Sequence, residues 1–128
     1  MSWTSTLADA TALQRVFGGD PPELRETRVH EVTLSRDGPQ VTIRIDLPTY
    51  PTSPPAKWRT QGFNTVQAEI TFVGARDISV EGFGRDPIVD IEITRTDSIR
   101  ISIDSPEFRL HLAADAAILS KVTAYVND

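Results

Sequence analysis

From Gln40 to Leu47 the chain alternates without a fault. Val41, Ile43, Ile45 and Leu47 fall on one side, Thr42, Arg44 and Asp46 on the other. A period of two belongs to a strand with one face buried and one face wet. The preceding run, about Arg28 to Ser35, places His30, Val32 and Leu34 on one face and Glu31 and Thr33 on the other. Between the two runs, Arg36-Asp37-Gly38-Pro39 is a tight-turn signal, so a β-hairpin is expected.

The same period recurs along the chain. Phe63–Val73 turns Val66, Ala68, Ile70 and Phe72 inward, with Thr65, Gln67, Glu69 and Thr71 outward. Asp77–Phe83 turns Ile78 and Val80 inward, and Gly82 to Pro87 reads as a turn. Ile88–Arg95 presents Val89, Ile91 and Ile93; Ser98–Asp104 presents Ile99, Ile101 and Ile103; Glu107–Leu112 presents Phe108, Leu110 and Leu112. Ala114–Leu119 has helical composition and Lys121–Val126 is β-rich, so a short helical turn and a last strand are expected. Near the start, Asp9 to Phe17 reads as a short helix capped by Asp9, stopped by Gly18-Gly19, with Leu13, Val16 and Phe17 on one stripe behind Leu7. Asp20-Pro21-Pro22 then breaks the chain.

Short turns between such strands predict a mainly β (α+β) fold. It is an antiparallel, curled meander of about seven or eight strands with a short N-terminal helix. The helix covers part of the apolar face and curling of the sheet covers the rest.

The longest irregular stretch is Pro48–Gln67. It combines prolines, Lys57-Trp58-Arg59 and Gln61-Gly62-Phe63-Asn64. Trp58 and Phe63 suit anchors that hold a long loop on the sheet. Gln61 and Asn64 suit satisfaction of its backbone groups. Tyr50, and on a second reading Trp58, suit contact with a partner.

With 128 residues and a 14.1 kDa mass the chain is expected to form one domain, residues 1–128. It has no cysteine, which removes disulfides, a thiolate nucleophile and a cysteine-type zinc site. The first residues lack a basic segment and a long apolar run, and no stretch approaches a membrane span, so a cytoplasmic protein is expected. The net charge of −5 repels phosphate backbones, disfavours nucleic acid, and steers a basic protein partner inward.

No catalytic pattern stands out. His30 and His111, the two histidines, cannot be placed together from sequence, and no G-x-S-x-G elbow or phosphate-cradling P-loop occurs. Neither a metal site nor a cofactor is expected. By parity Glu31, Glu69, Asp77, Glu81, Asp90 and Glu92 share the polar face. Strands lie about 4.8 Å apart, so several of these carboxylates can converge into an acidic docking surface. The plainer reading is a solvated sheet face interleaved with Arg44 and Arg100. The candidate partner-binding residues are therefore Tyr50, Trp58, Glu69, Glu81, Asp90 and Glu92.

Several segments together resemble one known family. They are Ser2-Trp3 with a helix ending in Phe17-Gly18, the strand Val29-His30-Glu31-Val32, the Asp37-Gly38-Pro39 hairpin, and above all Trp58-Arg59-Thr60-Gln61-Gly62-Phe63-Asn64-Thr65-Val66-Gln67. This pattern is similar to the immunity protein 50 family of bacterial polymorphic toxin systems. The resemblance covers nearly the whole chain. It implies a small cytoplasmic protein that inhibits a cognate toxin by binding it, with no catalytic residues to transfer. Two other readings stand beside it. One is a small-ligand-binding β domain, or an enzyme using a carboxylate/histidine site. The other is a subunit that self-associates through an exposed edge strand.

Overall fold

In a computed structural model, residues 3–19, 21–85 and 87–127 are described. Ser2 of the family-like opening, Asp20 of the predicted break and Asp86 of the predicted turn lie outside them. A 3-10 turn, Trp3–Thr6, leads to helix α1, Thr11–Phe17. Strands β1, Thr27–Ser35, and β2, Gln40–Asp46, form the predicted hairpin. Helix α2, Ala56–Gln61, precedes β3, Thr65–Val73, and β4, Arg76–Glu81. Then come β5, Ile88–Val89; β6, Ile91–Arg95; β7, Ile99–Asp104; β8, Arg109–Ala114; and β9, Ala116–Tyr125.

The mainly β, antiparallel expectation holds. The apolar face is covered, however, by a second sheet and not by one sheet curling on itself. Sheet one has the order β5-β1-β2-β3-β9 and sheet two the order β4-β8-β7-β6. Their inner faces share a core, with Val41, Ile43, Ile45, Ile70 and Phe72 from sheet one against Ile91, Ile101, Ile103, Leu110 and Leu112 from sheet two. Each fully buried aliphatic side chain here contributes roughly 1.5–3 kcal/mol by leaving water. The predicted strand 88–95 is cut at Asp90. Val89 pairs in sheet one and Ile91 in sheet two, so the chain changes layers there while every alternate residue still faces the core. The chain also changes layers at Gly74 and Asp115. The Asp115 amide donates to the Val73 carbonyl at 2.8 Å, and Arg76 binds the Asp115 carboxylate at 2.8 Å.

Four local expectations are corrected. His30 does not face inward. A bulge between Val29 and Glu31 inserts one residue into β1, so Val29 and Val32 both face the core and His30 turns to the outer face. Residues 116–119 are strand and not a helical turn, because β9 pairs with β3 from Thr65–Tyr125 to Val73–Ala116, and that ladder outweighs the helix preference of Ala and Leu. The proline segment is not wholly irregular. Pro55 and Gly62 bound α2, with Gly62 in the left-handed region at φ 68°, and β3 begins at Thr65, not Phe63. Finally, Ile78 and Val80 are exposed, since β4 is an edge strand with its register broken between Arg76 and Ser79.

The amino-terminal helix forms, but it begins at Thr11 and not at Asp9, and Asp9 does not cap it: Ala10 holds the N-cap position and no side chain bonds the first turn from there. Asp9 Oδ1 accepts from the Thr11 amide at 2.9 Å and from its hydroxyl at 2.6 Å just ahead of α1. Gly18 ends the helix at φ 65°. Leu7, Leu13 and Val16 are buried, and Leu7 bridges Ala117 of β9 in parallel.

Candidate partner-binding surfaces

The outer face of sheet one carries a row of alternating charge. Glu31, Arg44, Glu69 and Lys121 are direct cross-strand neighbours on β1, β2, β3 and β9. Arg44 Nη2 lies 3.0 Å from Glu31 Oε1. The Thr33 hydroxyl donating at 3.0 Å, and then Arg44, hold the Glu31 carboxyl below its usual range. Glu69 therefore sits between two cations. Beside this row Thr42 and Thr71 share a hydrogen bond of 2.9 Å.

The next row contains a network that sequence reasoning missed. Asp46 is only 5% exposed although it lies on the outer side of β2. Its Oδ2 accepts from the Tyr125 hydroxyl at 2.5 Å and lies 2.7 Å from His30 Nε2, and its Oδ1 accepts from Gln67 Nε2 at 3.1 Å. Burial raises the Asp46 carboxyl, but these donors together outweigh it and the group sits below the ordinary value. Burial, then the bond to Asp46, pushes the Tyr125 phenol up to about 12. A phenol held protonated that firmly is a hydrogen-bond donor and not a nucleophile or base at neutral pH. The bulge signal was present in the sequence: Val29 and Val32 are apolar three apart, which breaks period two at His30.

Sheet two faces the other way. Glu92, Ser102, His111 and Ser79 form one outer row, and Asp104, Arg109 and Glu81 another. His111 is outward, as expected, with Nε2 2.7 Å from Asp104 Oδ1. Because the two sheets expose opposite faces, Glu31 and Glu69 do not converge with Glu81 and Glu92. This corrects the single polar face inferred from parity. What does converge is a shallow cleft of about 270 Å³ that gathers Glu23, Asp90, Glu92 and Asp104, with Arg25 the cation among its lining residues. Asp90 is held in place there: its Oδ1 accepts from the Glu26 amide at 2.9 Å, and Arg25 stands 3.9 Å from Oδ2.

Tyr50 and Trp58 stack in a tilted pair, ring centres 6.4 Å apart, and both are half-buried against the core. The Tyr50 hydroxyl is buried without a hydrogen-bond partner among the described residues. Asn64 ties down the chain end, donating to the Asn127 carbonyl at 2.9 Å and accepting from its amide at 2.8 Å.

An apolar groove of about 310 Å³ opens between β1 and the β4–β5 connection. Val32, Leu34, Val80, Phe83 and Phe108 line it. Among the described residues no group of three or more His, Cys, Asp or Glu side chains is arranged to hold a metal ion. No described helix is long and apolar enough to cross a membrane.

No curated protein and no solved structure matches the chain. A family model, described as immunity protein 50, matches residues 9–125. That span runs from Asp9, just ahead of α1, to the Tyr125 that donates to Asp46, and so takes in both sheets, the acidic cleft and the groove. The chain belongs to the immunity protein 50 family.

Proposed function

We propose that the protein neutralises a bacterial protein toxin by binding it directly, in the cytoplasm and without chemistry of its own. The observation that carries this reading is the family match across residues 9–125. The architecture supports it. Among the described residues nine strands pack about a shared core and present preformed surfaces, and little ordering entropy is lost when such a surface docks. The net charge of −5 favours a basic toxin and speeds encounter with it.

Of the residues singled out by sequence, Asp90 and Glu92 are the proposed polar contacts. Together with Glu23 and Asp104 they form a cleft able to take a lysine or arginine of the toxin. Glu81 contributes on the same outer face, although Arg109 stands opposite it. Glu69 lies between Arg44 and Lys121 in the cross-strand row, and Tyr50 and Trp58 pack against the core. The test is co-expression with the toxin encoded beside this chain's gene. Growth restored to the level of toxin-free cells is expected. Cells dying as they do without this chain would overturn the proposal.

A further inference from the structure

The gap between the two sheets has two mouths, and they are treated differently. At the β9/β6 mouth the amino-terminal segment fills the space: Trp3, Leu7, Leu13 and Val16 are buried there, with Leu7 bridged to β9. At the β1/β4 mouth nothing comparable covers the core among the described residues. Leu34 lies opposite the buried Val41, and Val80 opposite the buried Leu110, so both face the interior by register. Yet Leu34 is 54% exposed, Val80 is 45% exposed, and Phe83 beside them is fully exposed. Inward-facing side chains left this open are the ones that a partner covers.

The rim of the groove is a strand edge. β5 pairs with β1 only at Thr27 and Arg28, and the Val29 amide donates to the Pro87 carbonyl at 3.0 Å. From Glu31 to Ser35, β1 pairs with β2 alone. Across the groove, β4 also has a single neighbour, but its break and the positive φ of Asp77, 54°, make it a poor template. A free, regular edge beside an apolar groove is the arrangement to which an extended peptide adds as a further strand.

Charge specifies the occupant. Read toward the edge, the outer row runs Lys121, Glu69, Arg44, Glu31, alternating in sign and ending on a carboxylate that is 54% exposed. A strand added to β1 continues that alternation only with a lysine or arginine beside Glu31. On the inner face the neighbours are Val32 and Leu34, which call for apolar residues. Thr33 between them continues a row of threonines through Thr42 and Thr71. The groove lining includes Glu31 and no lysine or arginine. We propose that the free edge of β1 from Glu31 to Ser35 captures an extended segment of the toxin. That segment is an alternating strand with a basic residue beside Glu31 and apolar residues seated over Val32 and Leu34. The inference rests on the toxin-binding reading and locates its main contact away from the acidic cleft.

The experiment measures binding of the catalytically inactivated toxin from the adjacent gene to the wild-type chain and to three variants. These are Glu31→Lys, Leu34→Lys and, as a control on α1, Gln14→Lys. All three positions are exposed, and thermal melting verifies that each variant folds. The proposal expects Glu31→Lys and Leu34→Lys each to weaken binding by at least about 30-fold, with Gln14→Lys within about 3-fold of wild type. It also expects toxin to slow amide exchange at residues 31–35. Wild-type binding that both edge variants retain would overturn the edge proposal and leave toxin neutralisation standing. A wild-type chain that does not bind the toxin overturns both. If light scattering shows the chain alone to be a dimer that Leu34→Lys dissolves, the groove belongs to a second copy and the proposal is wrong.

Discussion

Among the described residues Asp46 is the nearly buried charge on the outer side of sheet one, 5% exposed. Three side chains, Tyr125, His30 and Gln67, converge on one nearly buried carboxylate. Replacing Asp46 with asparagine removes the charge and sets an amide against donors, a change that costs about 1–3 kcal/mol. The pH dependence follows in sign. The folded carboxyl titrates below its ordinary value of about 3.9, so its contribution is complete above that pH and is lost as pH falls through the lower folded value. Urea denaturation from pH 7 downward is therefore expected to show the wild type's advantage over Asp46→Asn shrinking below about pH 4. An advantage that stays constant down to about pH 2 would show that the charge is not what the network holds. The phenol has the opposite sign. Its raised value means that Tyr125 contributes fully below about pH 10 and loses its contribution as pH rises through about 12. Little of this network was legible in the sequence. Asp46 sat visibly on the polar phase of its strand, but Tyr125 lies 79 residues away on a strand whose first half reads as helix. Strict alternation carried through the inserted residue puts His30 on the inward phase, and the Val29/Val32 spacing is the one sign of the slip.

At the scale of elements, alternation located most of the strands and failed where an element's surroundings decide its fate. Val41, Ile43, Ile45, Ile99, Ile101 and Ile103 are buried as their period requires. Leu34 and Val80 obey the same parity and are exposed, because burial also needs something opposite, and sequence does not announce where two sheets part. Helix α2 was hidden by the prolines around it, although Pro54-Pro55 before it and Gly62 after it are start and stop signals. The end of β4 shows the same dependence on context. Gly82 has φ 85°, and a Cβ there would strike the backbone carbonyl of Glu107, whereas Gly18, with φ 65°, has open space around it. Gly18→Ala should thus cost about 1 kcal/mol from the left-handed backbone alone. Gly82→Ala should cost at least about 2 kcal/mol, because rigid main chain must also move. Chemical denaturation of the two variants in parallel decides the matter. Equal losses would mean that the 82–84 turn yields freely and that the approach to Glu107 is not a constraint.

The whole molecule is asymmetric: two sheets closed at one side by residues 3–17 and open at the other, where the proposed partner strand adds. If the closed side is a plug, its removal should damage stability without touching recognition. Trp3 is the residue to remove. It is buried in the core cluster, its Nε1 donates to the Pro22 carbonyl at 2.9 Å, and the 3-10 turn that carries it lies against β6. Truncation to alanine leaves a large void and an unpaired carbonyl and should cost about 3–5 kcal/mol. For a domain whose whole stability is about 5–15 kcal/mol, that is a substantial share. The groove lies at the far mouth, so the folded fraction of Trp3→Ala should still bind toxin within about 3-fold of wild type at a temperature where it is folded. Both halves of this expectation are needed. A small stability loss would mean that the amino-terminal turn merely rests on the sheets, and a lost affinity with retained fold would place the toxin at the plugged mouth instead of the open one.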